Sequence, residues 1–174
     1  MGDKTIYQIY LRDNLAYLAT GFGIVVLDTD RREIKETYLI GPGGNELKVN
    51  AVTSFNEILY AATDEGLYLA SINSPNLSDF NNWEKHSRFN LSTQKITSLV
   101  SGTNAAFMIV ENSQSTSDSL YYITGNEWML YPYFQLQNLV SLNTKGDQLI
   151  VNSQFHVDVL AADGDTTRHL YLGD

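Results

Sequence analysis

The tract AYLATGFGIVVLD, residues 16–28, has a near copy in LYAATDEGLYLAS, residues 59–71. Aligned, Tyr17 falls on Tyr60, Ala19 on Ala62, Thr20 on Thr63, Gly23 on Gly66 and Ile24 on Leu67, every pair at an offset of 43. A fixed period of this size marks a repeat architecture, in which each unit hides its apolar face against its neighbour. Two weaker echoes follow, AFMIVENSQSTSDSLYYITG (106–125) and LIVNSQFHVDVLAADG (149–164), the first with a polar insertion at its turn. Four units of about 43 residues account for the chain.

The copy also disposes of a nucleotide-binding reading. Gly21-Phe22-Gly23 resembles the start of a G-x-G-x-x-G loop, but position 26 is Val and residues 24–27 are strand formers rather than the opening of a helix. In the second unit the first glycine becomes Asp64, while Gly23 returns as Gly66. The shared glycine therefore marks a turn, where it supplies a positive φ and Thr63 and Asp64 offer side-chain bonds to the backbone.

Within each unit the apolar residues come in runs of about five to seven, broken by Gly, Asn and Asp clusters, with no stripe of helical period. The spacing predicts strands at 6–11, 16–20, 24–28 and 33–39, then 49–54, 58–63, 67–72 and 83–88. It continues with 96–101, 105–110, 120–124 and 127–131, then 139–143, 148–152, 156–161 and 166–172. Four strands per unit at this period make an all-β chain of β-propeller blades, four four-stranded antiparallel sheets. The blades fall at about 4–44, 45–91, 92–134 and 135–174 of a single propeller segment. Ala19, Ala61 and Ala62 let neighbouring sheets approach, and Tyr17, Tyr60 and Tyr68 supply bulk.

Composition narrows the partners. Eleven Lys and Arg against 20 Asp and Glu give a net charge of −9, which repels nucleic acid on average. There is no cysteine, hence no disulfide, thiolate nucleophile or Cys-ligated zinc. No apolar stretch approaches the roughly 18 residues of a membrane span, and Met1-Gly2-Asp3-Lys4 does not lead into a signal peptide. A soluble segment of a longer protein is the expectation.

The repeated tracts Tyr60-Ala61-Ala62-Thr63-Asp64-Glu65-Gly66-Leu67 and Tyr17-Leu18-Ala19-Thr20-Gly21-Phe22-Gly23-Ile24 resemble the regulator-propeller repeat, extended by Val52-Thr53-Ser54 and Ile96-Thr97-Ser98. The last two units lose the Thr and Gly. The stretch from Ile40 to Trp83 is more narrowly similar to the N-terminal propeller of PorZ-like surface proteins of Bacteroidetes. That resemblance implies a seven-bladed parent at the bacterial exterior or in the periplasm, assisting type IX secretion and delivery of anionic lipopolysaccharide. Related chains carry an ABC-transporter label, though nothing in these residues looks like a transporter part. Periplasmic glycan sensors of hybrid two-component regulators share the repeat and supply the alternative. Partners implied are further blades of the parent, lipopolysaccharide or another glycan, and other secretion components. Four blades taken from seven would leave apolar faces open, so an open arc that self-associates, or else a closed four-bladed ring, is expected.

Catalytic chemistry finds little support. The inner-strand candidates 6–11, 49–54, 96–101 and 139–143 contain no acid, and no G-x-S-x-G elbow occurs. His86, His156 and His169 lack metal-pair spacing, and Asp163-Gly164-Asp165 lacks the terminal Glu of a calcium loop, so neither metal nor cofactor is expected. Two tracts are binding candidates. NSPNLSDFNNW (73–83), with Asn76, Asp79, Phe80 and Trp83, is long for a β connection, and Leu77, Phe80 and Trp83 could pin it to the blade's side. YYITGNEWMLYPYF (121–134) gathers Tyr122, Trp128, Tyr131 and Tyr133, whose rings could stack on sugars or pack between blades.

Overall fold

A computed structural model describes residues 3–87, 91–112, 117–131, 139–154, 156–161 and 166–171. Among these residues sixteen strands form four four-stranded antiparallel sheets, each a meander in chain order. The first holds β1 (Ile6–Arg12), β2 (Leu15–Thr20), β3 (Gly23–Asp28) and β4 (Glu33–Tyr38). The second holds β5 (Val49–Phe55), β6 (Ile58–Thr63), β7 (Gly66–Ser71) and β8 (Glu84–Lys85). The third holds β9 (Ile96–Ser101), β10 (Ala106–Val110), β11 (Ser119–Ile123) and β12 (Met129–Leu130). The fourth holds β13 (Leu139–Lys145), β14 (Gln148–Ser153), β15 (His156–Ala161) and β16 (Thr166–Tyr171). This is the blade architecture that the repeat predicts. The chain divides into two compact units, Met1–Ile96 and Thr97–Asp174.

The expected strands 83–88 and 127–131 shrink to two residues each, β8 and β12. Both are preceded by a buried tryptophan, Trp83 and Trp128. Trp83 belongs to a loop, because its Nε1–H donates to the Leu77 carbonyl at 2.9 Å and its backbone N–H to Phe80.

Alternation along the strands builds the core. In the first unit Tyr17, Ala19, Ile24, Val26 and Tyr38 of the first sheet meet Val52, Leu59, Ala61, Tyr68 and Ala70 of the second, closed by Leu77 and Trp83. In the second unit Phe107, Ile109 and Leu120 meet Leu142, Leu149, Val151 and Leu160. Fully buried Ala19 and Ala61 occupy the sheet-to-sheet contact, as the alternation of small and large residues suggests.

The repeated turn explains its own composition. Thr20 pairs with Gly23 and Thr63 with Gly66, leaving two-residue loops. Each threonine is buried, donates its hydroxyl to the glycine carbonyl (2.9 and 2.6 Å) and accepts the amide of Phe22 or Glu65 (3.4 and 3.0 Å). Gly23 and Gly66 have φ of +152° and +119°, accessible to glycine without strain. A Cβ on Gly23 would strike the Tyr38 carbonyl, and one on Gly66 would lie 2.6 Å from that of Leu91. The same device survives in the fourth sheet with different letters: Ser153 Oγ accepts the His156 amide at 3.1 Å and lies 3.4 Å from its carbonyl oxygen.

The innermost strands β1, β5, β9 and β13 are sheet edges, and an edge needs acceptors for its outward amides. Gln8 Oε1 accepts the Val52 amide at 2.7 Å, and Ser98 Oγ accepts that of Leu142 at 3.3 Å. Gln8 and Ser98 are each third in their strand, and Val52 and Leu142 each fourth. The Tyr10 hydroxyl to Ser54 Oγ bond, 2.7 Å, lies one step further along. A β-bulge offsets the start of β1, β5 and β13 at Tyr7, Asn50 and Val140.

The turn yields a direct test. Gly66→Ala is expected to lower the unfolding free energy by about 2–4 kcal/mol, since it adds both backbone strain and a collision. Thr63→Val keeps the volume but loses the hydroxyl bonds, and should cost about 1–2 kcal/mol. Urea denaturation followed by circular dichroism measures both; a larger loss in Thr63→Val than in Gly66→Ala would contradict the steric account.

Candidate functional site

The loop from Asn73 to Trp83 is built on its own polar side chains. Asn76 Oδ1 accepts the Ser78 amide at 3.1 Å, and Asn82 Nδ2 donates to the Asn76 carbonyl at 2.7 Å. Asp79 Oδ1 caps a 3-10 turn at Phe80–Asn82, accepting the Asn81 amide at 3.0 Å and its Nδ2 at 2.9 Å. Leu77 and Trp83 sink into the core, where Trp83 lies 6.1 Å from Tyr38, ring to ring. Phe80 is half-buried beside Gly44 of a second 3-10 turn, Pro42–Gly44. The loop is thus pinned to the blade, as expected, through Leu77, Phe80 and Trp83. What it offers outward is an amide and carboxylate ledge of Asn76, Asp79 and Asn81, a set of donors and acceptors suited to hydroxyl groups.

The aromatic tract distributes differently. Trp128 and Tyr131 are each only 2% exposed. Tyr131 stacks edge-on with Tyr122 at 5.5 Å, lies 6.3 Å from Phe107 and donates its hydroxyl to the Ala161 carbonyl at 2.9 Å. Tyr122 is half-buried against the same core. Of the two readings of these rings, packing between sheets is the one that Tyr131 takes, and Trp128 is buried as well. Tyr133 lies outside the described residues. Trp83 and Trp128 hold equivalent places, each directly before a two-residue outer strand.

Sequence reasoning passed over two features of the first unit. At one end of the inner strands, the Asp3 carboxylate accepts the Tyr7 hydroxyl and the Thr5 amide, and Lys48 Nζ sits 4.6 Å over the Tyr7 ring and 3.5 Å from Asp64. Asn50, the bulged residue, ties Asp64 (2.8 Å) to the Ile96 carbonyl (2.9 Å). The Tyr7 and Thr5 bonds hold Asp3 down at about 2. These groups largely satisfy one another and form a belt across the blades.

At the other end, a groove of about 180 Å³ is lined by Arg12, Asp13, Leu15, Tyr17, Ile72 and Asn73. The Arg12 guanidinium lies 3.8 Å from Asp13 and 3.9 Å from Glu57, longer than a charge-assisted bond of about 2.7–2.9 Å. Asn73 Nδ2 donates to Glu57 at 3.0 Å. The spacing of these residues in sequence gives no signal, since the groove joins the β1–β2 turn to the chain after β7. Among the described residues no three His, Cys, Asp or Glu lie together as metal ligands. No helix among them is long and apolar enough to cross a membrane.

Residues 1–84, just under half of the chain, match the family model described as TSS9, PorZ, N-terminal beta-propeller domain. This chain is close to the PorZ-like propeller. The narrower of the two sequence resemblances is therefore the one supported. A structure of PorZ from Porphyromonas gingivalis, described as an essential bacterial surface component of the type IX secretion system, aligns with a TM-score of 0.74 at 21% identity. That alignment covers 98% of this chain and 21% of PorZ, so the chain spans about a fifth of PorZ's length. The designed protein Ika4 aligns at 0.57 and 12% identity over 98% of this chain and 92% of its own. Hsv2 of Kluyveromyces lactis aligns at 0.60 and 11% identity, covering 94% and 51%. Identities this low speak for the propeller fold alone. No curated protein matches the sequence.

Burial also sets a pH limit. Burial, reinforced by a hydrogen bond to Glu36, pushes the Tyr38 phenol up, and burial does the same for Tyr17, Tyr60 and Tyr68. A phenol raised in the folded state stabilises fully below its unfolded value of about 10 and loses that contribution as pH rises beyond it. The urea midpoint should fall as pH rises above about 10, and fall less in Tyr38→Phe. Equal slopes in the two proteins would rule Tyr38 out as a source.

Proposed function

We propose that the chain is a non-catalytic propeller segment, serving as scaffold and binding surface of a bacterial cell-surface protein that assists type IX secretion in the manner of PorZ. The match of residues 1–84 to the PorZ N-terminal propeller model carries this reading. The extracytoplasmic location follows from it. Inner strands free of acids supply no convergent carboxylates for hydrolysis or elimination at the blade axis. The partners proposed are the remaining blades of the parent protein, other secretion components and anionic lipopolysaccharide.

A net charge of −9 opposes long-range attraction of a polyanion. Lipopolysaccharide recognition then falls to short-range contacts: the Arg12 and Asn73 groove for an anionic group, and the Asn76, Asp79 and Phe80 ledge for sugar hydroxyls and ring faces. In titrations monitored by biolayer interferometry, immobilised anionic lipopolysaccharide should bind the chain, and Arg12→Ala should weaken binding about 5- to 20-fold, the loss of one charge-assisted contact. Binding to neutral polysaccharides with none to lipopolysaccharide would turn the reading toward a glycan sensor.

A further inference from the structure

Strand β1 ends on Arg12 and β5 on Phe55, equivalent places 43 residues apart. Phe55 is buried, so the repeat is satisfied there by an apolar side chain, and blade stacking alone does not call for a guanidinium. The carboxylates nearest to Arg12, on Asp13 and Glu57, stay at 3.8 and 3.9 Å, which leaves its N–H donors open to a ligand.

Both carboxylates stand on backbone that is unusual for a side chain. Asp13 has φ of +52°. Asn56 and Glu57, with +49° and +61°, form the two-residue loop between the paired residues Phe55 and Ile58. A loop of that form favours Asn-Gly, and glycine would take the second angle without strain. A glutamate holds the place instead, and its carboxylate accepts Asn73 Nδ2 at 3.0 Å.

The third feature of the groove is Tyr17, which lines it although only 4% exposed. Its ring packs in the core beside Tyr10, whose hydroxyl is tied to Ser54, whereas the Tyr17 hydroxyl has no hydrogen-bond partner among the described residues. Burial raises this phenol, against a smaller opposing pull from Arg12, so it keeps its proton at neutral pH and stays a donor. A buried hydroxyl left in this state gains when a ligand supplies the acceptor.

Donors therefore converge from Arg12, Tyr17 and the second Nδ2 hydrogen of Asn73, beside the apolar side chains of Leu15 and Ile72. Asp13 and Glu57 add acceptors, and they also oppose any second negative charge on a ligand held by Arg12.

We propose that this groove binds a sugar acid, its carboxylate on Arg12 and Tyr17, its ring hydroxyls on Asp13 and Glu57, and its C–H face on Leu15 and Ile72. The inference rests on the groove being the recognition site of the proposed function, and it narrows the anionic group taken there to a singly charged one. A phosphate monoester carries close to two charges at neutral pH and is disfavoured.

Glucose, glucuronate and glucose-6-phosphate share one ring and differ only in the group they carry: alcohol, carboxylate or phosphate monoester. Titrated into the whole chain near neutral pH, with amide NMR shifts as the readout, glucuronate should bind about tenfold more tightly than either of the others. The signals that move should include Asp13, Leu15 and Asn73. Tyr17→Phe should weaken glucuronate about three- to tenfold and leave the urea midpoint at neutral pH unchanged or higher, since the hydroxyl has no partner to lose. Glu57→Gln keeps an acceptor for Asn73 while removing the charge, and should narrow the preference for glucuronate over glucose-6-phosphate about threefold. Equal binding of the three sugars, a preference for the phosphate, or a Tyr17→Phe chain that binds glucuronate as well or unfolds at lower urea overturns the proposal. The two readings fail separately. Lipopolysaccharide captured while glucuronate leaves the groove's signals unmoved overturns this inference alone; glucuronate bound there while lipopolysaccharide is not captured supports it and overturns only the lipopolysaccharide reading.

Discussion

The buried threonine hydroxyl at the turn between the second and third strands of a blade is the interaction on which the arrangement rests. It fixes both ends of a two-residue loop at once, by donating to the glycine carbonyl and accepting an amide within the loop. The glycine that follows leaves room for the outer segment of the same blade, whose Tyr38 or Leu91 carbonyl lies where a Cβ would stand. With that turn set, register follows along the strands, and register decides which side chains enter the space between sheets. Gly23 and Gly66 are thus required by sterics as well as by their backbone angles. Ser153 shows that the hydroxyl is the more durable half of the device, since it persists where the glycine does not.

Between sheets, burial and edge satisfaction work together. Apolar rows remove surface from water, while Gln8 and Ser98 supply acceptors to the edge amides of the next inner strand. An amide left without an acceptor in such a contact would cost on the order of 1–3 kcal/mol, so Gln8 and Ser98 help to specify the mates of the first and third sheets as well as holding them. The interior takes up the rings of Trp83, Trp128 and Tyr131, and the polar side chains of the loop at Asn76, Asp79 and Asn81 stay at the surface.

Much of the fold was legible because two periodicities coincide: alternation within strands and the 43-residue repeat. Among the described residues each of the sixteen strands lies where the periodicity puts it, with β8 and β12 markedly shorter than it predicts. Trp83 and Trp128 explain why, since an apolar residue beside a strand reads as part of it whether it continues the alternation or anchors a loop. The candidate site was less legible. Asn76, Asp79, Phe80 and Trp83 came together in an ordered loop, as their clustering in sequence suggested. The groove at Arg12 escaped notice because its residues come from positions 12 to 17 and 72 to 73, joined only by the packing of the first two sheets.

By itself, the sequence determined the repeat, the all-β class and the turn chemistry, because each depends on residues close together or on a period that survives in one dimension. It also determined what the chain could not readily be, since an absent residue type needs no coordinates to exclude its chemistry. Only the tertiary structure decided which aromatic rings are spent on the core and which polar groups satisfy one another. The reason is physical: burial and hydrogen-bond pairing are properties of the space between sheets, and a residue's neighbours across that space lie some 43 to 46 positions away in the chain.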